Sequence, residues 1–144
     1  MNDFFQKFCN RIGMTSRQIR FVAMVDRHGT LLATFERKGL KPLLNDEQTA
    51  QYSQAAVTRQ YTRVRWQAIL GKNDYTCSCY EKILRVTIPI TDEKNHLEFV
   101  IIFTFDVDTK NYHSIIMKKI LPFVRKSEHK FLENEKMILN QNRG

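Results

Sequence analysis

Apolar residues recur along this chain with two different periods, and the switches between them mark out most of its elements. Between Asp3 and Ile12 they fall at Phe4, Phe5, Phe8, Cys9 and Ile12, with Gln6, Lys7, Asn10 and Arg11 on the other side. That spacing predicts an amphipathic helix, and Gly13 stands where it would stop. Ile19 to Asp26 (IRFVAMVD) is a nearly unbroken apolar run, the pattern of a strand covered on both faces. Arg27, His28 and Gly29 then turn the chain into Thr30 to Arg37, and Gly29 is expected to hold a positive backbone φ in that hairpin. Asn45 opens a second helix: Gln48 completes a capping box, and Asp46 and Glu47 suit the positive end of the helix dipole. Ala50, Val57, Tyr61 and Val64 lie on one face of it, and the pattern predicts a single long helix from about Asp46 to Leu70, stopped by Gly71.

Strand patterns then return three times, at Tyr75 to Tyr80, Ile83 to Ile90 and Leu97 to Phe105. Glu81-Lys82 is a short link, and Thr91 to His96 is a polar hairpin loop. Pro89 fits a strand only where its missing amide faces outward or a bulge. Helical spacing resumes through Tyr112, Ile115, Ile116, Ile120, Phe123 and Val124, with Asp108 or Thr109 as the expected cap. Pro122 inside that pattern demands a kink or a new start. A stretch from Ser127 to Asn140 continues the apolar stripe through Phe131, Leu132, Ile138 and Leu139. The order α-β-β-α-β-β-β-α-α predicts an α+β fold, a five-stranded antiparallel sheet with helices on its faces.

A length of 144 residues and a 42% hydrophobic content suit one domain, expected over residues 1–125, with a helical extension over 126–144. Three cysteines (Cys9, Cys77 and Cys79) are too few for a disulfide scaffold, and no run approaches the length of a membrane span. A cytoplasmic protein without membrane insertion is expected. The net charge of +8 is unevenly spread: residues 1–44 carry +5, 45–72 carry +2, 73–108 carry −4, and 109–144 carry +5. Basic ends around an acidic middle point to a polyanionic partner such as nucleic acid, with Lys7, Arg11, Lys118, Lys119, Arg125, Lys126 and Lys130 as the candidate patch.

The element order and the hairpin Val22-Ala23-Met24-Val25-Asp26-x-x-Gly29-x-Leu31-Leu32 resemble the roadblock/longin-type, profilin-like domains. Ile19-Arg20-Phe21-Val22-Ala23, Gly39-Leu40, Leu70-Gly71 and Glu81-Lys82 are similar to a family of short archaeal proteins of unknown function. The likeness spans about residues 15–125, and the residues after Pro122 run past the usual end of such a domain. It implies a strand order of 2-1-5-4-3, no catalytic residues, and a scaffolding or regulatory role of the kind roadblock domains play in small-GTPase systems. In that arrangement the first and last helices share one face of the sheet and the long helix takes the other.

Chemistry sought along the chain yields little. Cys77 and Cys79 share a strand face but lack two further zinc ligands, and the four histidines have no ligand spacing. His28 beside Asp26 has no nucleophile nearby in sequence. Asp106 and Asp108 are better read as caps of the following helix than as metal carboxylates beside Asp26. No phosphate-binding glycine motif is present. The expectation is therefore a non-enzyme without cofactors, a homodimer that acts on protein partners. The alternatives are a nucleic-acid-associated basic protein and a small-molecule sensor that uses a cavity on the sheet. The surfaces expected to self-associate are the long helix, the Thr30–Arg37 edge and the C-terminal stripe of Val124, Phe131, Leu132, Ile138 and Leu139. That stripe docks either on its own sheet or, by slight preference, across the dimer.

Overall fold

A computed structural model describes the backbone over residues 3–143 and the side chains over 3–133. The elements are α1 (Asp3–Gly13), β1 (Ile19–Asp26), β2 (Leu31–Glu36), α2 (Asp46–Val64), α3 (Gln67–Leu70), β3 (Thr76–Cys79), β4 (Ile83–Thr91), β5 (Leu97–Asp106), α4 (Tyr112–Ile115), a π-helical turn (Ile116–Ile120) and α5 (Leu121–Arg143). The five strands form one antiparallel sheet in the order β2-β1-β5-β4-β3, as the resemblance implies.

The near-continuous apolar runs follow from burial on both sides of this sheet. On one face Ile19, Val22 and Met24 of β1 meet Leu84, Val86, Ile88 and Ile90 of β4 and Phe99, Ile101, Phe103 and Phe105 of β5. Helix α1 and the C-terminal helical segment close that face. Phe5, Phe8 and Ile12 join Ile116, Ile120, Val124 and Phe131 in one core, and each fully buried side chain of this size contributes roughly 1.5–3 kcal/mol. On the other face Ala23, Val25, Val100 and Ile102 receive Ala56, Val57 and Val64 of α2. So α1 and α5 share a face and α2 takes the opposite one, as expected.

The β1–β2 and β4–β5 hairpins use the same device. The Asp26 carboxylate accepts from the amides of His28 and Thr30, each at 2.9 Å, and Gly29 takes φ +84°. The Asp92 carboxylate accepts from the amides of Lys94 and His96 at 2.9 Å, and Asn95 takes φ +63°. These are side-chain-nucleated turns, with the left-handed position given to the residue types that tolerate it.

Several local expectations are corrected. Gly13 is the last residue of α1, where the stop is expected, but it holds no positive φ; a Cβ there would overlap the Phe35 ring, so its smallness lets the helix approach β2. The long helix ends at Val64, not Leu70; the Trp66 amide bonds to the Arg63 carbonyl at 3.1 Å and one short turn follows before Gly71. Ala50 and Tyr61 of its expected face are exposed, and the buried face is Ser53, Ala56, Val57, Gln60 and Val64. Gln60 and Gln67 are buried because the adjoining loops need them: Gln60 donates to Asn73 at 3.0 Å, and Gln67 accepts from the Asn73 amide at 3.0 Å. Neither Asp108 nor Thr109 caps the last helical segment. Its N-cap is Asn111, without a side-chain bond, and the Thr109 hydroxyl donates back to the Asp106 carbonyl. Pro122 sits in the first turn of α5, directly after the π-helical turn, in which the Leu121 amide reaches the Ile116 carbonyl. Widening the helix there accommodates the ring and the missing donor. Pro89 lies two residues beyond Thr87, the last β4 residue paired with β3, where one side of β4 has no neighbour to lose a bond.

The boundary expected after residue 125 falls within α5, and Phe131 beyond it belongs to the core. Among the described residues no helix is long and apolar enough to cross a membrane.

Candidate functional site

The face of the sheet under α2 is only partly covered, and the chemistry gathers there. On β4 the strict alternation that sends Leu84, Val86 and Ile88 to the first core sends Arg85 and Thr87 to this side, opposite Thr104 and Ile102 of β5. Arg85 is 2% exposed, and its Nε and Nη2 have no hydrogen-bond partner among the described residues; nor does the Thr87 hydroxyl. The ring of Tyr52, from α2, lies 4.7 Å from the Arg85 guanidinium carbon. Burial lowers the pKa of Arg85, with Tyr52 pulling the other way and Arg59 adding to the decrease. Burial likewise pushes the Tyr52 phenol up to about 12, helped by its hydrogen bond with Tyr80.

Beside this pair a cavity of about 530 Å³ opens between the sheet, α2 and the segment joining β2 to α2. Phe21, Leu40, Leu44 and Ile102 give it apolar walls, and Tyr52 and Thr104 also line it. At its sheet end Asp106 ties three strands. It accepts from Arg20 at 3.0 Å and from both terminal nitrogens of Arg37 at 3.1 Å. Burial raises the Asp106 pKa, but the bonds from Arg37 and Arg20 outweigh it and hold the carboxyl below its ordinary value.

At the far end of α2 a second feature emerges. Trp66 is 54% exposed, Ile69 77% and Leu70 80%, all within one turn of chain, and Tyr61 is exposed beside them. Of the two edge strands, β2 is guarded by α1: the Gln6 side chain donates to the Thr34 carbonyl at 2.7 Å, and the Cys9 thiol to the Ala33 carbonyl at 3.7 Å. Strand β3, with exposed Cys79 at its end, has no such guard among the described contacts. This moves the open edge from β2, where the sequence pointed, to β3.

The expected site residues are distributed as follows. Gly29 holds the left-handed turn position. Lys7 and Arg11 of α1 and Lys118, Lys119, Lys126 and Lys130 of the C-terminal segment all lie in the helical layer of one face, exposed to solvent. Arg11 stacks 5.1 Å from the centroid of the Phe123 ring. Arg125 is drawn out of that patch: it pairs with Asp74 at 2.6 Å and Glu128 at 2.7 Å, locking the chain before β3 onto α5. Val124 and Phe131 are fully buried in the chain's own core, so neither is available to a second subunit, and Leu132 is half-buried. Ile138 and Leu139 lie outside the residues with described side chains. The Asp26 carboxylate is committed to its turn and does not contact the His28 ring as a dyad would. Asp106 is an ion-pair hub and not a cap. Cys77 packs against the core with its thiol raised to about 11 by burial, then by Cys79 beside it. Among the described residues no three His, Cys, Asp or Glu side chains gather as a metal site.

No protein-family model matches the chain, and no curated protein sequence does so. Solved structures do match in shape. Myxococcus xanthus MglB aligns over 94% of this chain and 96% of its own, with a TM-score of 0.60 at 13% identity. A Roadblock/LC7 domain from Streptomyces avermitilis aligns over 84% and 94%, with 0.59 at 6% identity. The inducer-binding domain of the PobR transcription factor from Acinetobacter, solved with 3-hydroxybenzoic acid, aligns over 90% and 96%, with 0.54 at 10% identity. Identities this low speak for architecture and not for descent from the archaeal family that the short motifs suggested. The sheet order, the helical layers and these neighbours together give the chain a roadblock-like fold.

Proposed function

We propose that this protein is a non-catalytic regulatory and scaffolding module of the cytoplasm that self-associates and docks a protein partner. The observation that carries the reading is the exposed apolar turn Trp66, Ile69 and Leu70 at the end of α2. A lone domain gains nothing from holding three large apolar side chains in water, and such clusters mark protein contacts. The unguarded edge of β3 adds main-chain donors and acceptors that a second strand can satisfy. The fold supports the reading too: one MglB structure of this shape is described as having a tetrameric arrangement, at a TM-score of 0.57. Roadblock domains are moreover scaffolds of small-GTPase systems, so a protein of that class is the first partner to try.

Light scattering on the full chain at tens of micromolar tests the self-association. The expected mass is at least twice 17.1 kDa, falling to the monomer value in Ile69→Asp/Leu70→Asp with circular dichroism unchanged. A wild-type protein that is a clean monomer at that concentration overturns the proposal.

A further inference from the structure

Arg85 is a cation that the fold leaves incomplete. Its guanidinium is buried and cannot discharge by losing a proton, since arginine stays charged in proteins. The Tyr52 ring face offers it cation–π attraction but no acceptor for an N–H. Its charged neighbours Arg59 and Arg63 carry the same sign. A buried charge normally has an opposite charge and its hydrogen bonds in place. The two nitrogens without partners, Nε and Nη2, belong to one edge of the planar group. Their parallel N–H bonds match the two oxygens of a carboxylate, the bidentate geometry for which arginine is suited.

The cavity's lining does not include Arg85 itself, but it does include two of its neighbours. Tyr52, stacked on Arg85, is part of its wall, and Thr104, paired directly with Arg85 across the sheet, is another. A volume of about 530 Å³ lies in the range of small-molecule sites, and the apolar walls suit an aromatic ring or a short acyl chain. Arg20, Arg37, Lys41 and Lys82 at the lining outnumber Glu36 and Glu81, so the rim is net positive.

We propose that this cavity binds a small organic carboxylate, its apolar body between Phe21, Leu44 and Ile102 and its carboxylate on the Nε/Nη2 edge of Arg85. Tyr52 is the side chain that must yield for the ligand to reach the guanidinium. The Thr87 hydroxyl, also without a partner, lies two residues along the same strand face and offers a further donor. A free small molecule fits better than an acidic side chain of a docked protein, because the space to be filled is a pocket with apolar walls and not a flat surface. The site is separate from the Trp66 turn and does not depend on self-association.

Isothermal titration and thermal melting with benzoate and octanoate, against benzamide and octanamide, test the idea in the wild-type chain. The acids are expected to bind at least tenfold more tightly than the matching amides and to raise the melting temperature by a few degrees at saturation. Arg85→Met is expected to fold, to melt no lower than wild type without ligand, and to lose the acid preference. Three results would each overturn the proposal: no binding of any probe up to millimolar concentration, equal binding of acid and amide, or an acid preference that survives in Arg85→Met. An Arg85→Met variant that melts far below wild type would show the guanidinium already satisfied, and would remove its premise. The comparison of acid with amide needs no variant, so a failure to fold would not shield the idea.

Discussion

Truncating Phe131 to alanine tests whether the end of the chain belongs to this domain or to a neighbour. The ring is fully buried, with centroids 4.5 Å from Phe8, 5.0 Å from Phe4, 5.8 Å from Phe99 and 6.0 Å from Phe5. It is therefore the meeting point of α1, α5 and β5. Removing a phenylalanine ring from such a site costs about 3–5 kcal/mol, the transfer of the ring plus the cavity left behind. A chain of this length has a total stability of roughly 7–20 kcal/mol, so the loss is a large share of it. At 2–4 °C per kcal/mol, the melting temperature should fall by about 6–20 °C. Urea unfolding followed by circular dichroism should show the midpoint lowered by about 1.5–2.5 M, for a slope of about 2 kcal/mol/M that stays unchanged. The mass in light scattering should stay that of wild type. If Phe131→Ala instead left the midpoint in place and dissociated an oligomer, α5 would be docking on another subunit, and the self-contained core described here would be wrong.

Three further substitutions probe the turns and the ion-pair hub. Gly29→Ala should cost about 1–2 kcal/mol, because φ is +84° and the new Cβ would sit 2.8 Å from Gln54 Cγ; adding Gln54→Ala should recover only the share due to Cγ, since Gln54 Cα stays at 3.0 Å and Cβ at 3.3 Å, read by urea midpoint. Gly13→Ala should cost about 1–3 kcal/mol by forcing Phe35 aside, and in a double-mutant cycle with Phe35→Ala the combined penalty should be less than the sum. Asp106→Asn should cost about 1–2 kcal/mol at neutral pH, discounted for partial exposure of the pair. The folded carboxyl titrates below its ordinary 3.8, so its contribution is complete above that value and disappears as pH falls through the folded pKa. The wild-type and Asp106→Asn stability curves should accordingly converge in acid, and a constant gap down to pH 2 would refute the assignment.

The sheet was legible from the chain because its strands are apolar runs separated by strong turn chemistry. The Asp-x-x-Gly and Asp-x-x-Asn tips are visible before any coordinates. The buried glutamines were not. A helix face reads as apolar from periodicity, whereas Gln60 and Gln67 are inside because Asn73 needs partners, its side chain accepting from Gln60 and its backbone amide donating to Gln67, which periodicity does not record. Asp106 was misread as a cap since its partners, Arg20 and Arg37, lie 86 and 69 residues away in sequence. Arg85 did leave a signal. Within ILRVTIPI the odd positions carry Arg85, Thr87 and Pro89 while the even ones are all aliphatic, a period of two with one polar face in a strand that lies inside the sheet. Reading the run only as a strand leaves that face, and with it the candidate site, unmarked.

The two faces of the sheet divide the labour of the molecule. The face under α1 and α5 is filled by phenylalanine and isoleucine side chains that interlock, and most of the stability resides there. The face under α2 uses small residues, Ala23, Ala56 and Val57, so that one helix can settle close over β1 and β5. Beside it, Arg85 of β4 lies under the Tyr52 ring, which covers the guanidinium but accepts no hydrogen bond from Nε or Nη2, and a cavity opens at the sheet end. The helix also ends early, at Val64, and the short turn after it carries Trp66, Ile69 and Leu70 outward. Substitutions at Arg85, Ile69 and Leu70 should therefore change binding and association with little effect on unfolding, whereas those around Phe131 should do the reverse.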